Sequence, residues 1–187
     1  MMRIFTLNIQ TLLRGLVLSG FVCGASACQS AGAYEQSVYR DRLVTFAVDP
    51  PTDPEDGATR EGFERILLEG QSGLAWANGD GSVLQVSARC DRSLDIPLAA
   101  LKAHLLIGFT ERKEIEERLL PMDGREALET HLRAKVDGVA RELILRVLKK
   151  DGCVYDLALI ARPGEPFEHA RPYFERVAES FTTEVPR

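Results

Sequence analysis

Apolar positions along the chain recur with two periods, and each period predicts elements. At 43–48, Val44, Phe46 and Val48 share one face of a period-two alternation, which predicts a strand. The run DPPTDPEDG at 49–57 is a loop by its prolines and glycine. Residues 62–69 predict a second strand, although Phe63, Ile66 and Leu67 also fit a helical turn. Residues 74–78 and 82–90 flank Gly79-Asp80-Gly81 and read as a β-hairpin, whose Gly- and Asp-rich turn also reads as a flexible lip. Leu98, Leu101 and Leu105 recur at three and four residues and predict a helix capped by Asp95, with Pro97 in its first turn and Gly108 ending it.

The second half is more regular. Residues 113–120 alternate Ile115, Glu117 and Leu119 against Glu114, Glu116 and Arg118. In 125–136, Leu128, Thr130, Leu132, Ala134 and Val136 take one face, and Glu129, His131, Arg133 and Lys135 the other. Asp137-Gly138 and Asp151-Gly152 predict tight hairpin turns. The first turn pairs Val136 with Val139, Leu132 with Leu143 and Leu128 with Val147, so register and alternation agree. Residues 153–161 (CVYDLALIA) are apolar on both faces, as in a strand covered from both sides. Beyond Arg162-Pro163-Gly164, the stripe Phe167, Ala170, Phe174, Val177 and Phe181 predicts a helix, with Pro172 setting its regular start near His169. Strands, a helix, a meander and a closing helix predict an α+β fold. The architecture is a three-layer α/β/α sandwich, with a mostly antiparallel sheet, long hairpins and a C-terminal helix.

Charge divides the chain where periodicity does not. Residues 1–34 contain no Asp or Glu, and Arg3 and Arg14 are their only charges. From Gly15 to Cys28 the sequence GLVLSGFVCGASAC is apolar or small throughout, and too short to span a bilayer, which takes about 20 apolar residues. A basic start, a short apolar stretch and small residues before a cleavage point describe a signal peptide. Ala25-Ser26-Ala27-Cys28 resembles the bacterial lipobox, with Ala25 where Leu is usual. The resemblance implies cleavage after residue 27, acylation (palmitate among the chains) of Cys28, and membrane attachment through those chains. Gln29, where a retention signal has Asp, implies the periplasmic face of a Gram-negative outer membrane. Simple cleavage after Ala27, giving a soluble periplasmic or secreted protein, and an uncleaved anchor are the other readings. The expected organisation is a leader at 1–27, a tether at 28–41, one domain at 42–182 and a tail at 183–187.

The full chain of 187 residues carries 23 Lys and Arg against 28 Asp and Glu, a formal charge of −5. Losing Arg3 and Arg14 makes the remainder more acidic still, which argues against a nucleic-acid partner. Of four cysteines, Cys23 leaves with the leader and Cys28 takes the lipid. Cys90 and Cys153 remain as an even pair in an oxidising space, either bonded or as two buried thiols. No CxxC occurs, and His104, His131 and His169 lie far apart, so neither a metal site nor a cofactor is implied.

The arrangement resembles the PsbP-like fold, known from a photosystem oxygen-evolving subunit, a Ran-binding import factor and many small bacterial lipoproteins. The residues carrying the resemblance are the hairpin about Val136-Asp137-Gly138-Val139, the segment YDLALIARPG, and the helix ending Val177-Ala178-Glu179-Ser180-Phe181. It implies the architecture, and accessory or binding roles rather than catalysis.

Catalytic motifs do not emerge. Gly70-Gln71-Ser72-Gly73 has the wrong spacing for a nucleophile elbow, phosphate-loop patterns are missing, and Gly79-Asp80-Gly81 lacks calcium-loop spacing. The acidic run ERKEIEE at 111–117 reads as a solvated strand edge. What remains is surface: Glu129, His131, Arg133 and Lys135, with Arg141 across the hairpin, form either a polar binding patch or merely the wet end of a sheet. Trp76 is either a partner anchor or core. The expected function is therefore a lipid-anchored accessory protein that binds another envelope protein, with no catalytic residues. A small-ligand or lipid-binding module is the alternative, and a hydrolase assembled from distant residues the third reading.

Overall fold

The computed structural model describes residues 36–52, 62–67 and 72–185. The expected leader and the lipobox with Cys28 lie outside the described residues. Three two-residue turns organise the second half. They are Asp123-Gly124, Asp137-Gly138 and Asp151-Gly152, each with both φ values positive (50° and 77° at the second), which joins strands at their natural twist. They link β6 (Thr110–Met122), β7 (Arg125–Val136), β8 (Val139–Lys150) and β9 (Cys153–Ala161) into a meander. The first half adds β3 (Glu64–Ile66), β4 (Gly73–Ala77) and β5 (Val83–Arg89), giving one antiparallel sheet in the order β3-β4-β5-β9-β8-β7-β6. β7 and β8 pair Val136 with Val139, Leu132 with Leu143 and Leu128 with Val147, the register expected from the sequence.

Each face of the sheet carries a helix. α2 (Glu165–Glu179) lays Phe167, Ala170, Phe174 and Val177 on a core with Leu74, Leu84, Leu148, Leu157 and Leu159. Phe46, Phe167 and Phe174 are fully buried there, and each burial is worth about 3 kcal/mol. The opposite face takes α1 (Leu98–Leu105), whose Leu101 packs on Val147 and Val154, while Leu106 meets Leu132, Leu143 and Leu145. Lys102 of α1 is paired with Glu114, at 3.1 Å, and with Glu117. β9 is thus covered on both sides, and the layered α+β architecture is the one its sequence predicts.

Several boundaries differ from expectation. Ser37–Arg40, inside the expected tether, is a strand (β1) paired with β2 (Thr45–Val48) in a separate ribbon. Thr182 and Ala47 exchange backbone hydrogen bonds of 2.8 and 3.0 Å, and the Thr183 hydroxyl donates to Asp123 at 2.7 Å, so the chain is tied down past 182. α1 has Pro97, not Asp95, at its N-cap; Asp95 instead meets Lys149 at 2.9 Å. α2 begins at Glu165 and keeps Pro172 inside it: Pro166 suits the first turn, and buried Phe167 and Ala170 hold that turn on the sheet despite the missing amide. β6 carries register shifts at 110–113 and 114–116, the second of which leaves Ile115 unpaired and exposed, while Leu119, in register opposite Leu128, is exposed at the edge of the sheet.

Candidate functional site

The polar face of β7 forms as the alternation requires, but it lies beneath α2. Across the strands Glu129 opposes Arg146 and Arg118, and Arg133 opposes Glu142. Arg118 Nη2 lies 2.7 Å from Glu129 Oε1. Arg146 donates to Glu129 through Nε and to Glu175 of α2 through Nη2, and its guanidinium lies over the Phe174 ring at 5.3 Å. His131 stacks on Phe167 with ring centroids 4.9 Å apart, and its Nε2 is 2.9 Å from Glu142 Oε1. Arg133 Nε donates to Glu142 Oε2 at 3.0 Å, and Lys135 pairs with Glu111 at 2.8 Å. Glu129, Glu142 and Arg146 are only 7%, 2% and 5% exposed. Arg133 and Lys135 reach the rim; Glu129 and His131 are part of the helix–sheet seam.

Arg141 does not join this group. It opposes Ala134, so it lies on the α1 face, because the β7–β8 register puts odd-numbered residues of β8 there. Trp76 is core, 3% exposed, with the Arg65 guanidinium over its ring at 5.5 Å. Sequence reading missed Glu142, Arg146, Arg118 and Glu175. A signal existed for the first two: the register that matched Leu132 with Leu143 also sets opposite charges face to face at 129/146 and 133/142.

A second assembly lies on the α1 face. Asp156, in the middle of an apolar strand, points to that side between Ser87 on β5 and Val147 on β8. Arg89 Nη2 donates to its Oδ2 at 2.8 Å, while Oδ1 is buried and has no hydrogen-bond partner. Burial pushes its carboxyl above the ordinary range, against the pull of Arg89. Asp156 borders a cavity of about 110 Å³ under the end of α1, with Leu143 and Leu145 in its floor and half-buried Ser87, Leu105 and Phe109 at its rim. An interior carboxylate oxygen without a donor is uncommon, and among the described residues it is the one buried side-chain oxygen or nitrogen without a hydrogen-bond partner.

Two larger concavities are open. One of about 870 Å³ lies between the β4–β5 turn and the start of α2, with Glu64, Asp80, Glu165 and His169 in its wall. Another of about 550 Å³ lies beside the Cys90–Cys153 disulfide, where Lys149 and Lys150 are already paired with Asp95 and Asp123. Among the described residues, no group of three or more His, Cys, Asp or Glu is placed to hold a metal ion, and no helix is long and apolar enough to cross a membrane.

No family model and no curated protein matches the sequence. Solved structures are similar to it in shape. The solution structure of CyanoP, the cyanobacterial PsbP of Synechocystis, is 15% identical, with 84% of this chain and 97% of that chain covered at a TM-score of 0.53. The crystal structure of LpqN, involved in cell envelope biogenesis of Mycobacterium tuberculosis, is 13% identical, with 79% and 90% covered at a TM-score of 0.52. At these identities the shared property is the fold: the chain has the PsbP-like α+β architecture.

Proposed function

We propose that this chain is an accessory protein of the bacterial cell envelope, attached through acyl chains on Cys28 to the periplasmic face of the outer membrane, where it binds another envelope protein. The observation that carries the reading is the bonded pair Cys90–Cys153, which ties the end of β5 to the start of β9. Stable disulfides belong to oxidising compartments, and the leader supplies a route to one. LpqN's part in envelope biogenesis is extended to this chain as a proposal only. Binding is favoured over catalysis because the ionisable residues that stood out in the sequence are engaged with one another: Glu129 with Arg118 and Arg146, and His131 and Arg133 with Glu142. The lipid-binding alternative needs an apolar cleft of roughly 300–1,000 Å³. Between the sheet and α1 the structure holds about 110 Å³, too little for an acyl chain; the open concavity of about 870 Å³ beside α2 has the volume, but Glu64, Asp80 and Glu165 in its wall do not match an apolar chain.

Crosslinking in intact envelopes, followed by pull-down of the tagged full chain, tests this reading. It predicts a defined envelope protein recovered with the wild type and missing from the Cys28→Ser variant, which stays unlipidated. Recovery of no partner from the lipidated chain contradicts it.

A further inference from the structure

The ribbon of β1 and β2 is separate from the seven-stranded sheet and rigidly built. Phe46 roots it in the core, stacking with Tyr39 and Phe181 at ring centroids 5.3 and 5.7 Å apart. At its tip Asp41 shapes the turn. Its Oδ1 accepts the amides of Leu43 and Val44 at 2.7 and 2.8 Å, and its Oδ2 accepts the Tyr39 hydroxyl at 3.1 Å. The Asp41 amide closes the turn on the Val44 carbonyl at 3.0 Å. The carboxylate of the tip is thus turned back onto the ribbon, while apolar and cationic groups face outward. Leu43 is 75% exposed and Val38, on the outer face of β1, is 41% exposed. Arg40 and Arg42 are exposed beside them. Apolar side chains interleaved with cations fit the surface of an anionic bilayer, where guanidinium groups meet phosphates and apolar groups enter the acyl boundary.

We propose that the tip of the β1–β2 ribbon docks on the anionic phospholipid surface that anchors the chain, with Leu43 in the acyl boundary and Arg40 and Arg42 on lipid phosphates. The inference rests on the acylation of Cys28 proposed above. Chain length supports it: the stretch from Cys28 to Ser37, where β1 begins, reaches at most about 30 Å. The anchor therefore keeps the ribbon within range of the bilayer. A contact made by a tethered chain acts at a millimolar effective concentration, so a few side chains suffice. The formal charge of −5 gives the chain no general attraction to such lipids, which makes the contact local to this end. The Leu43 carbonyl lies 3.8 Å from Cys90 Sγ, and Cys90 is bonded to Cys153 opposite Lys150 at the end of β8. Val139, at the other end of β8, is about 35 Å of strand away.

The test compares the wild type with Leu43→Trp and Val139→Trp, each recovered from membranes and reconstituted in vesicles of phosphatidylethanolamine and phosphatidylglycerol. The lipid acyl chains carry bromine, which quenches indole emission on contact. Trp76, 3% exposed, gives the wild-type background, and position 139, 50% exposed, is the control for an exposed apolar site elsewhere. Quenching several-fold stronger in Leu43→Trp than in Val139→Trp is expected, with a blue shift in the first alone. Adding Arg40→Gln and Arg42→Gln, or replacing phosphatidylglycerol by phosphatidylcholine, should remove most of it. Equal quenching at the two positions overturns the proposal, as does quenching indifferent to the arginines and to lipid charge. A blue shift without quenching also overturns it, because the ribbon is then covered by protein. The mass of the same samples reports acylation separately: an unacylated chain defeats the anchoring reading, and an acylated chain without quenching defeats this inference alone.

Discussion

Glu129 of β7 and Arg146 of β8 stand directly opposite each other, both buried beneath α2. Arg146 also reaches Glu175, so one guanidinium ties two strands and the closing helix together. Arg146→Ala leaves buried Glu129 with the half-exposed Arg118 alone and takes the cation from Glu175, which costs about 3 kcal/mol, the lower end for breaking a buried pair because Arg118 remains. Replacing both residues, as Glu129→Leu with Arg146→Met, should recover most of that loss, since apolar packing substitutes well for buried ion pairs. Urea unfolding of the three proteins checks both statements; a double variant as weak as the single one refutes the second.

The Cys90–Cys153 bond closes a loop spanning 63 residues. Chain entropy assigns such a closure about 4 kcal/mol. The Cys90→Ser, Cys153→Ser double variant should lose stability of that order, and the wild type should lose the same on reduction. A reductant that leaves the thermal midpoint unchanged would count against the bond.

Two aspartates should make stability respond to pH in opposite senses. Burial pushes Asp123 up, but the Lys150 ammonium and the Thr183 hydroxyl and amide outweigh it and hold the carboxyl below its ordinary 3.8. Its contribution is therefore present above that value and lost as pH falls through the lower folded one. Asp156 is raised by burial despite Arg89, so its contribution is full below 3.8 and lost as pH climbs through the higher folded value. Asp123→Asn should flatten the acid limb of a stability–pH curve and Asp156→Asn should steepen it. Parallel curves for wild type and variants would show that these groups are not coupled to folding.

Trp76 provides a spectroscopic check, as the only tryptophan. At 3% exposure it should emit at short wavelength, resist iodide quenching and keep its emission when a partner binds. Strong quenching in the native protein would place it on the surface after all.

The sheet was legible because Asp137-Gly138 and the alternation on either side of it agree on one register, and a one-residue slip would invert every face. What lies over a face was not legible. Period two says that Glu129 and His131 point the same way, but only the return of α2 decides that they are covered. Charged residues opposite one another at 129/146 and 133/142 were the available hint. Asp156 was hidden by its company: within CVYDLALIA it reads as one polar interruption of a buried strand, and its environment comes from β5 and α1, far away in sequence. Arg141 was misplaced because it was matched by charge and not by register, which puts it opposite Ala134. The shifts in β6 were silent too, since a bulge inserts a residue without marking the composition.

Acylation and a location on the oxidising side of the membrane are both read from the intact mass of the protein recovered from membranes, before and after reduction. The expected species is a chain beginning at Cys28, carrying two or three acyl groups, that gains two hydrogens on reduction. An unacylated chain, or one whose mass reduction leaves unchanged, would contradict it.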